Sequence, residues 1–458
     1  MRKHLTATLG SLYLVFMLIC PAQAETLTVS TGINDALGIS LFESRHSDVK
    51  LEIKSNANLY SEIAGDFLSR SDSIDVYQIG TREGCQQRLR KKGFFMDVSG
   101  EPVIRDFVDQ MAPVFQRQLT EGDAIAFVPS FLLFEYPVLL NREIAEELGL
   151  SQDELPRNLL ELLRFVNQWE EKYGDDYPEY APFSASQASS YALGHRNPYI
   201  GIVLEMYKDT MLSQSGVLRY NTPLFLELLK EIEPWTREAE PDEAGWEPEP
   251  SGENSLFYAG QYFAEDMLTQ ICGTGKLVDM PLAEGYAPVQ AYELECGMIN
   301  PATRHAALAV ELLRCYVEDC SPGLKRILCP NIKEPYQSPN YQTDLAALKE
   351  WKTVETRKLM QLEDTAKQEQ KSLLRLIDEA ILYEEQHPYL ISAEAMEEYR
   401  NRVVPYLIPR GEGVYESETI YADTMSYTIR WLDGALSAEA YAKALDAFIL
   451  LAALEDGQ

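Results

Sequence analysis

Histidine is scarce in this chain, and the motifs that usually mark a catalytic centre are missing. Only five histidines occur among 458 residues, and none beyond residue 24 is paired at the spacing that metal ligands need. There is no H-E-x-x-H, G-x-S-x-G or P-loop, since Gly273-Thr274-Gly275-Lys276 lacks the P-loop spacing. We therefore expect no enzymatic activity, no catalytic residues, no cofactor and no bound metal.

Positive charge is also in short supply. Forty lysines and arginines face 72 aspartates and glutamates, which gives a net charge of −32. A surface this acidic repels phosphate backbones, so we expect no nucleic-acid partner, and it argues against a polyanionic ligand. Solubility accounts for most of the charge.

Cysteines are few, and C-x-x-C is absent. The six beyond residue 24 allow fifteen pairings. A chain of this size does not need disulfides, but a bridge from Cys320 to Cys329, across a Pro-Gly turn, is the pairing we expect first. Cys315 and Cys320 lie five residues apart on one predicted helix, which is poor disulfide geometry.

Long apolar runs are absent after the first 24 residues, and the one short run lies before that point. Arg2 and Lys3 precede the apolar stretch 12–19, and residues 22–24 (Ala-Gln-Ala) form an A-x-A cleavage site. Residues 1–24 are therefore a predicted signal peptide, and the mature chain is predicted to be extracellular or periplasmic. Lipidation at Cys20 is the alternative, although Ile19 stands where a small residue is usual.

The most informative stretch is Asp123 to Leu150, DAIAFVPSFLLFEYPVLLNREIAEELGL. Its aromatic and β-branched residues predict a strand that runs directly into an amphipathic helix. Asn141 suits the N-cap and Gly149 the C-terminal stop. We expect this segment to leave one lobe and begin a second, with a ligand cleft beside the crossing.

The first 55 mature residues predict three strands that alternate with helices. The strands are predicted at 25–31, 49–53 and 75–79, which favours an open, largely parallel sheet. Ligands bind beyond the carboxyl ends of such strands. That rule places Thr31, Gly32, residues 56–60 and residues 80–82 on one rim.

Helical patterns dominate the second half of the chain. Residues 341–400 are mostly helical, and two closing helices are predicted at 419–431 and 437–454. Trp169 falls on an apolar helix face and is predicted to be core, as are Trp351 and Trp431.

Several segments, in order, resemble the extracellular solute-binding proteins of ABC importers, in the group that binds maltose and oligosaccharides. FESRHSDVKLEI resembles the family's early helix and second strand, and VLLNREIAEELGL resembles its l-x-Y-N-k-x-l-f-x-x-x-G-l, with Leu140 in place of the usual Tyr. SDSIDVYQIG resembles the third strand, with Ile74 in place of Pro. LFYAGQYFAEDM, GMINPATRHAALAVELLRCYV and GALSAEAYAKALDAFI resemble later segments.

The resemblance implies an α/β, two-lobed, periplasmic-binding-protein-like fold of type II with a helical C-terminal region. It implies an N-terminal lobe of residues 25–137 plus 290–325, and a C-terminal lobe of residues 138–289 plus 326–458. Hinge strands are then expected at 138–141 and 297–300. Segment 341–400 is longer than the group leads one to expect.

Sugars present hydroxyl edges and apolar faces, which carboxylates, amides and aromatic rings bind. The candidate ligand-binding residues are Thr31, Tyr60, Arg82, Glu135, Tyr136, Trp235, Trp246, Glu284 and Tyr286. Helix packing for Tyr60 and a solvated surface charge for Arg82, Glu135 and Glu284 are the structural alternatives.

We therefore expect a monomeric binding protein that captures a small solute between its lobes and delivers it to the permease subunits of an ABC importer. The solute expected first is a carbohydrate; a peptide or a polyamine is an alternative. A secreted glycan hydrolase that uses paired carboxylates is the main rival, because 72 acidic residues supply such pairs by chance. A metal sensor or scavenger that binds through tyrosines is a third hypothesis.

Overall fold

The computed structural model describes residues 25–31, 38–55, 60–80, 85–185, 193, 196–237, 254–360, 367–410 and 418–455. No helix in these ranges combines the length and apolar character that crossing a bilayer requires.

Eleven strands are described, and nine of them belong to one sheet. The strands are β1 (Glu25–Thr31), β2 (Val49–Ser55), β3 (Val76–Ile79), β4 (Thr120–Glu121), β5 (Ala124–Ile125), β6 (Val128–Asn141), β7 (Ala181–Ala185), β8 (Ser255–Phe263), β9 (Gly275–Leu277), β10 (Gln290–Ile299) and β11 (Leu407–Pro409).

The main sheet has the order β2-β1-β3-β10-β6-β8-β7, with β11 beside β10 and β9 beside β6. The first three strands are parallel, as predicted, and β10 then runs antiparallel to both β3 and β6. The long strand β6 pairs with β10 through its first half and with β9 through its last residues, and β8 lies along its second half. One continuous sheet therefore extends through the crossing.

Seventeen α-helices cover and connect the strands of the described chain. They are α1 (Ile39–Arg45), α2 (Tyr60–Ser69), α3 (Cys85–Lys91), α4 (Pro102–Gln110), α5 (Pro113–Leu119), α6 (Arg142–Glu147), α7 (Leu159–Trp169), α8 (Ile200–Ser215), α9 (Pro223–Ile232), α10 (Ala264–Cys272), α11 (Ala306–Glu318), α12 (Pro322–Leu328), α13 (Tyr341–Leu359), α14 (Lys367–Gln386), α15 (Ala393–Arg402), α16 (Glu418–Leu432) and α17 (Ala438–Glu455).

The buried apolar side chains form two large cores. The first core draws on residues 27–134, 264–277, 292–329 and 391–407 and includes Leu139 and Tyr258. The second draws on the other buried apolar residues of 136–259, on 280–283 and on 431–449. Residues 264–277 and 391–407 thus pack in the first core, although the predicted lobe boundaries place them in the second lobe.

The start of α6 confirms the capping prediction. The Asn141 side chain accepts hydrogen bonds from the backbone N–H groups of Glu143 (3.1 Å) and Ile144 (3.3 Å). Gly149 follows the helix with a φ of 66°, a left-handed conformation that favours glycine.

Two of the three tryptophan predictions are confirmed. Trp169 and Trp431 are buried in the second core, and Trp431 stacks on Tyr441. The third is wrong, because Trp351 is 45% exposed on α13. Its indole N–H instead donates to the Glu355 carboxylate at 3.3 Å.

The predicted disulfide is also wrong, since all six described cysteines carry thiols. Cys320 precedes α12 and Cys329 caps its C-terminal end. A seven-residue helix is about 10 Å long, which exceeds the reach of a disulfide. The Pro-Gly pair that suggested a turn lies instead in the first turn of this helix.

Candidate functional site

The two cores meet within a single strand. Phe134 of β6 belongs to the first core and Tyr136 to the second, and beyond this point the strand contacts both cores, with Leu139 in the first. Between Glu135 and Val138 the pairing of β6 with β8 shifts register. Tyr136 has a φ of 49°, which is costly for a non-glycine residue, and Pro137 further disfavours it. Packing from both cores must therefore hold the backbone in this conformation.

Side chains of both cores border a narrow gap at this point. Tyr136 and Met206 line it from the second core, and Val403 and Tyr406 line it from the other side. The cavity has a volume of about 30 Å³.

A polar network lies at the carboxyl ends of β1 and β3, on the first-core side of the crossing. The Thr31 hydroxyl donates to the Gln78 side-chain carbonyl at 2.5 Å. The Gln78 amide donates to the Ser130 hydroxyl (3.1 Å) and to the Glu295 carboxylate (3.2 Å). Glu295 is partly exposed, while Gln78 is 5% exposed. We call these four residues the floor network.

Aromatic rings lie on the same face of the sheet as Glu295. Phe131 pairs directly with Glu295 across β6 and β10, and directly paired residues share one face. Phe131 also contacts Phe263 edge-on, with ring centroids 4.9 Å apart. Phe263 is 50% exposed. This face therefore combines a carboxylate, an amide and accessible aromatic carbon.

A second network connects the crossing to the second core. Arg410, which follows β11, forms ion pairs with Glu135 of β6 and, at 3.1 Å, with Glu205 of α8. Lys208 contacts Glu205 at 2.7 Å, and the Gln261 amide donates to both carboxylate oxygens of Glu135 at 2.9 Å. All four ionic side chains are at most 12% exposed. We call these five residues the crossing network.

Two ionisable groups near the floor network are fully buried. Cys296 follows Glu295 in β10, and burial raises the pKa of its thiol well above the ordinary value. Burial likewise raises the pKa of the Tyr316 hydroxyl, whose ring packs beside Gly297. Within the described ranges, no cluster of three or more His, Cys, Asp or Glu side chains could hold a metal ion.

Three of the predicted site residues lie in one of these networks or at the register shift. Thr31 belongs to the floor network, Glu135 to the crossing network, and Tyr136 lies at the register shift. All three are at most 5% exposed, so the predicted surface alternative for Glu135 is wrong.

The other predicted residues lie elsewhere. Trp235 packs against the second core and donates to the Asn167 side chain at 2.7 Å, and Tyr286 also packs there. Glu284 is exposed. Tyr60 is described only as the first residue of α2, and Arg82 and Trp246 lie outside the described residues.

Sequence reasoning missed several polar residues of this region. Gln78 is a polar residue within the otherwise apolar strand VYQI. A polar residue at such a position is a signal in the sequence that could have been used. Glu295 alternates with apolar residues in β10, which is a weaker signal. Arg410 gave none, because its partner Glu135 lies 275 residues away along the chain.

No family model matches this chain, and no curated protein matches it. Solved structures do match. The binding protein MsmE of Bacillus subtilis, in an open conformation, superposes with a TM-score of 0.56 at 11% identity, covering 95% of this chain and 99% of that one. Maltose-bound MalE3 of T. maritima gives 0.53 at 13% identity, covering 93% and 100%. The cyclic α-maltosyl-1,6-maltose binding protein of Arthrobacter globiformis gives 0.52 at 13%, covering 94% and 99%.

These similarities extend over nearly the full length of each neighbour at low sequence identity. They confirm the predicted fold class. The chain has the two-lobed α/β fold of the solute-binding proteins of ABC importers, here with a helical C-terminal region.

Proposed function

We propose that this protein is an extracytoplasmic solute-binding protein that encloses a carbohydrate between two lobes and delivers it to an ABC importer. The observation that carries the proposal is that the second core begins at Tyr136, within a strand whose earlier buried residues pack only in the first core. A strained, register-shifted junction between two separately packed bodies suits hinge closure, because a few backbone dihedrals can change while each core stays intact.

We propose lobes that follow the two cores. The first lobe then includes α10 and α15 as well as β1–β3, and the second includes α7–α9 and the closing helices α16 and α17. The chain then passes between the lobes at residue 135, at 260–263, at 278–279, at 284–290 and between β11 and α16. We do not propose a hinge at 297–300, because this end of β10 pairs with β3, a strand of the first lobe.

The ligand is proposed to bind over the floor network. Planar amides and carboxylates such as Gln78 and Glu295 hydrogen-bond sugar hydroxyls, and rings such as Phe131 and Phe263 cover sugar C–H faces. Sugars and sugar alcohols are bound in the matched structures, among them maltose and ribitol. Thr31 belongs to this network, and the remaining predicted residues, including Tyr136 and Tyr286, stay candidates for its rim.

Export and partnership follow from the same proposal. The predicted signal peptide, residues 1–24, takes the chain across the membrane. Permease subunits of an ABC importer then receive the closed, loaded form. Charge supports an uncharged or cationic solute over a polyanion.

Thermal unfolding of the mature chain, residues 25–458, with a panel of oligosaccharides tests the function. A bound sugar at one hundred times its Kd stabilises the folded state by about 2.7 kcal/mol. We expect one sugar class to raise the Tm and to be recovered unchanged by chromatography. Recovery of a shortened sugar would instead establish a hydrolase, and no shift with any saccharide would overturn carbohydrate binding.

Replacement of Gln78 by alanine locates the site. We expect Q78A to lose the sugar-dependent shift, whereas Q342A, at an exposed position on α13, keeps it. Because Q78A also removes hydrogen bonds within the protein, the variant's Tm without sugar serves as its own baseline.

A further inference from the structure

The helices α13 and α14 form an antiparallel hairpin with a very small core of its own. Leu345, Ile377 and Ile381 are its buried apolar residues, with Leu348 and Leu373 packed against them. Ion pairs Lys349–Glu385 (2.6 Å) and Lys352–Asp378 (2.5 Å) set the antiparallel register. The two helices therefore pack mainly against each other in the part of the chain that is described.

One face of this hairpin is apolar and exposed. Trp351 and Val354 on α13 are 45% and 40% exposed, and Leu376 and Tyr383 on α14 are 56% and 48% exposed. These residues share a position in the helical repeat, because each directly precedes a residue that is buried in the hairpin or contacts the other helix: Lys352, Glu355, Ile377 and Glu384. In an antiparallel helix pair, such positions lie on the same face of both helices.

The charges at the two ends of this face are of opposite sign. Along α13 the series Asp344, Ala347, Trp351, Val354, Lys358 recurs at heptad spacing, with the acid at the base of the hairpin and the lysine at its tip. Both charged residues are exposed, and Lys358 also contacts Glu355 of its own helix at 2.7 Å. A second copy turned by a two-fold axis through Trp351 places each Lys358 opposite the Asp344 of the other copy.

The face is also large enough for a stable contact. Helices of 19 and 20 residues are about 30 Å long, and a pair of them is about 20 Å wide. The contact would bury about 600 Å² on each copy, or about 1,200 Å² in all, which lies within the range of specific interfaces. The apolar centre with charged ends has the composition typical of such interfaces.

We infer that the occupant of this face is a second copy of the chain, so that the protein forms an isologous dimer through its hairpins as an antiparallel four-helix contact. Composition gave no reason to expect more than a monomer, and the inference does not depend on the proposed function. The lobes and their crossing stay free to move, because the interface uses only the hairpin.

Sedimentation velocity of the mature chain over a concentration series tests the dimer. We expect a concentration-dependent dimer for the wild type, and a monomer for Leu376→Glu, which places a charge in the apolar face. Leu382→Glu is the matched control. Leu382 is 54% exposed on the same helix but follows an inward residue, so it lies on the opposite flank, and this variant should remain dimeric.

A third variant, Asp344→Lys, tests the charge pairing separately from the apolar face. It places a lysine opposite Lys358 of the other copy, and this repulsion should weaken the dimer. Circular dichroism confirms that each variant is folded. A wild type that is monomeric at every concentration would overturn the inference and leave the face to a different protein. Equal loss of the dimer in the Leu376 and Leu382 variants would overturn it as well.

Discussion

Two buried glutamates invite comparison, because each is surrounded by hydrogen-bond donors in a very different part of the molecule. Glu135 is 4% exposed and contacts Gln261 of β8 and Arg410, which follows β11, and through Arg410 it is connected to α8. Glu355 is 5% exposed and accepts from Trp351, Lys358 and Gln370, all within the hairpin.

The difference lies in what each carboxylate holds together. The partners of Glu135 connect the strand that crosses between the cores to a helix of the second core, so this network couples two bodies. The partners of Glu355 fix only one helix against its neighbour. A similar local chemistry therefore controls the relation between the lobes in one region and the local order of a peripheral element in the other.

The largest expected effect is that of Arg410→Met. Removal of the guanidinium leaves the Glu135 carboxylate without its ion pair in a buried setting, and such a change costs about 3–5 kcal/mol. Chemical denaturation of the mature chain measures this loss. Arg375→Met is the control, because Arg375 and Glu379 are 75% and 61% exposed, and exposed pairs contribute about 0–1 kcal/mol. Equal losses in the two variants would contradict the coupling role of the crossing network.

The second effect concerns the sheet beneath the crossing. A Cβ added at Gly297 would lie 2.4 Å from a methyl group of Leu313 and 2.9 Å from the Tyr316 ring, so Gly297→Ala should cost about 1–3 kcal/mol. Gly100→Ala meets no atom within 4 Å and serves as the control. If both alanine variants unfold at the wild-type denaturant concentration, the packing of α11 on β10 is looser than described.

A smaller and more local effect is expected at Glu355. Hydrogen bonds from Lys358 and Gln370 lower the pKa of its carboxyl group. A lowered pKa stabilises the folded form above the ordinary carboxylate range, and this contribution is lost as the pH falls through the lowered value. Protection factors of the amides in α13 and α14, which correct for the intrinsic slowing of exchange in acid, should therefore fall on acidification, and Glu355→Ala should abolish that dependence. If the protection of these amides changed neither with pH nor in the Glu355→Ala variant, Glu355 would not stabilise the hairpin and the comparison with Glu135 would fail.

The smallest expected effect is that of a reductant. Because all six described cysteines carry thiols, dithiothreitol should leave the Tm of the mature chain unchanged. Mass spectrometry after alkylation under denaturing conditions should count six modified cysteines. A drop in Tm on reduction, with fewer than six alkylated sites, would restore the Cys320–Cys329 bridge that the sequence suggested.

Local patterns predicted the elements of this fold well. The alternation at the mature N-terminus predicted β1 with its observed bounds, and the cap at Asn141 located the start of α6, because both depend on neighbouring residues only. The resemblance to solute-binding proteins predicted two lobes correctly. Helical continuity predicted α13 and α14, but exposure of Trp351 depends on what packs against the hairpin, which local sequence does not encode.

The candidate site was less predictable for the same reason. Thr31 and Glu135 were selected as side chains beside the ends of strands, and their burial followed from partners such as Gln78 and Arg410 that lie 47 and 275 residues away. The order of the strands in the sheet brings these distant residues into contact, and no spacing of residues in the sequence predicts that contact. The disulfide failed likewise, because the residues between Cys320 and Cys329 form a helix instead of the turn that their Pro-Gly pair suggested.

Small-angle X-ray scattering tests the central claim most directly. The mature chain is measured alone and with the saccharide that stabilises it most, at a concentration low enough to keep a single oligomeric state. The account predicts a smaller radius of gyration in the presence of sugar, because the two bodies close about the Tyr136 junction. An unchanged scattering profile with sugar demonstrably bound would contradict it.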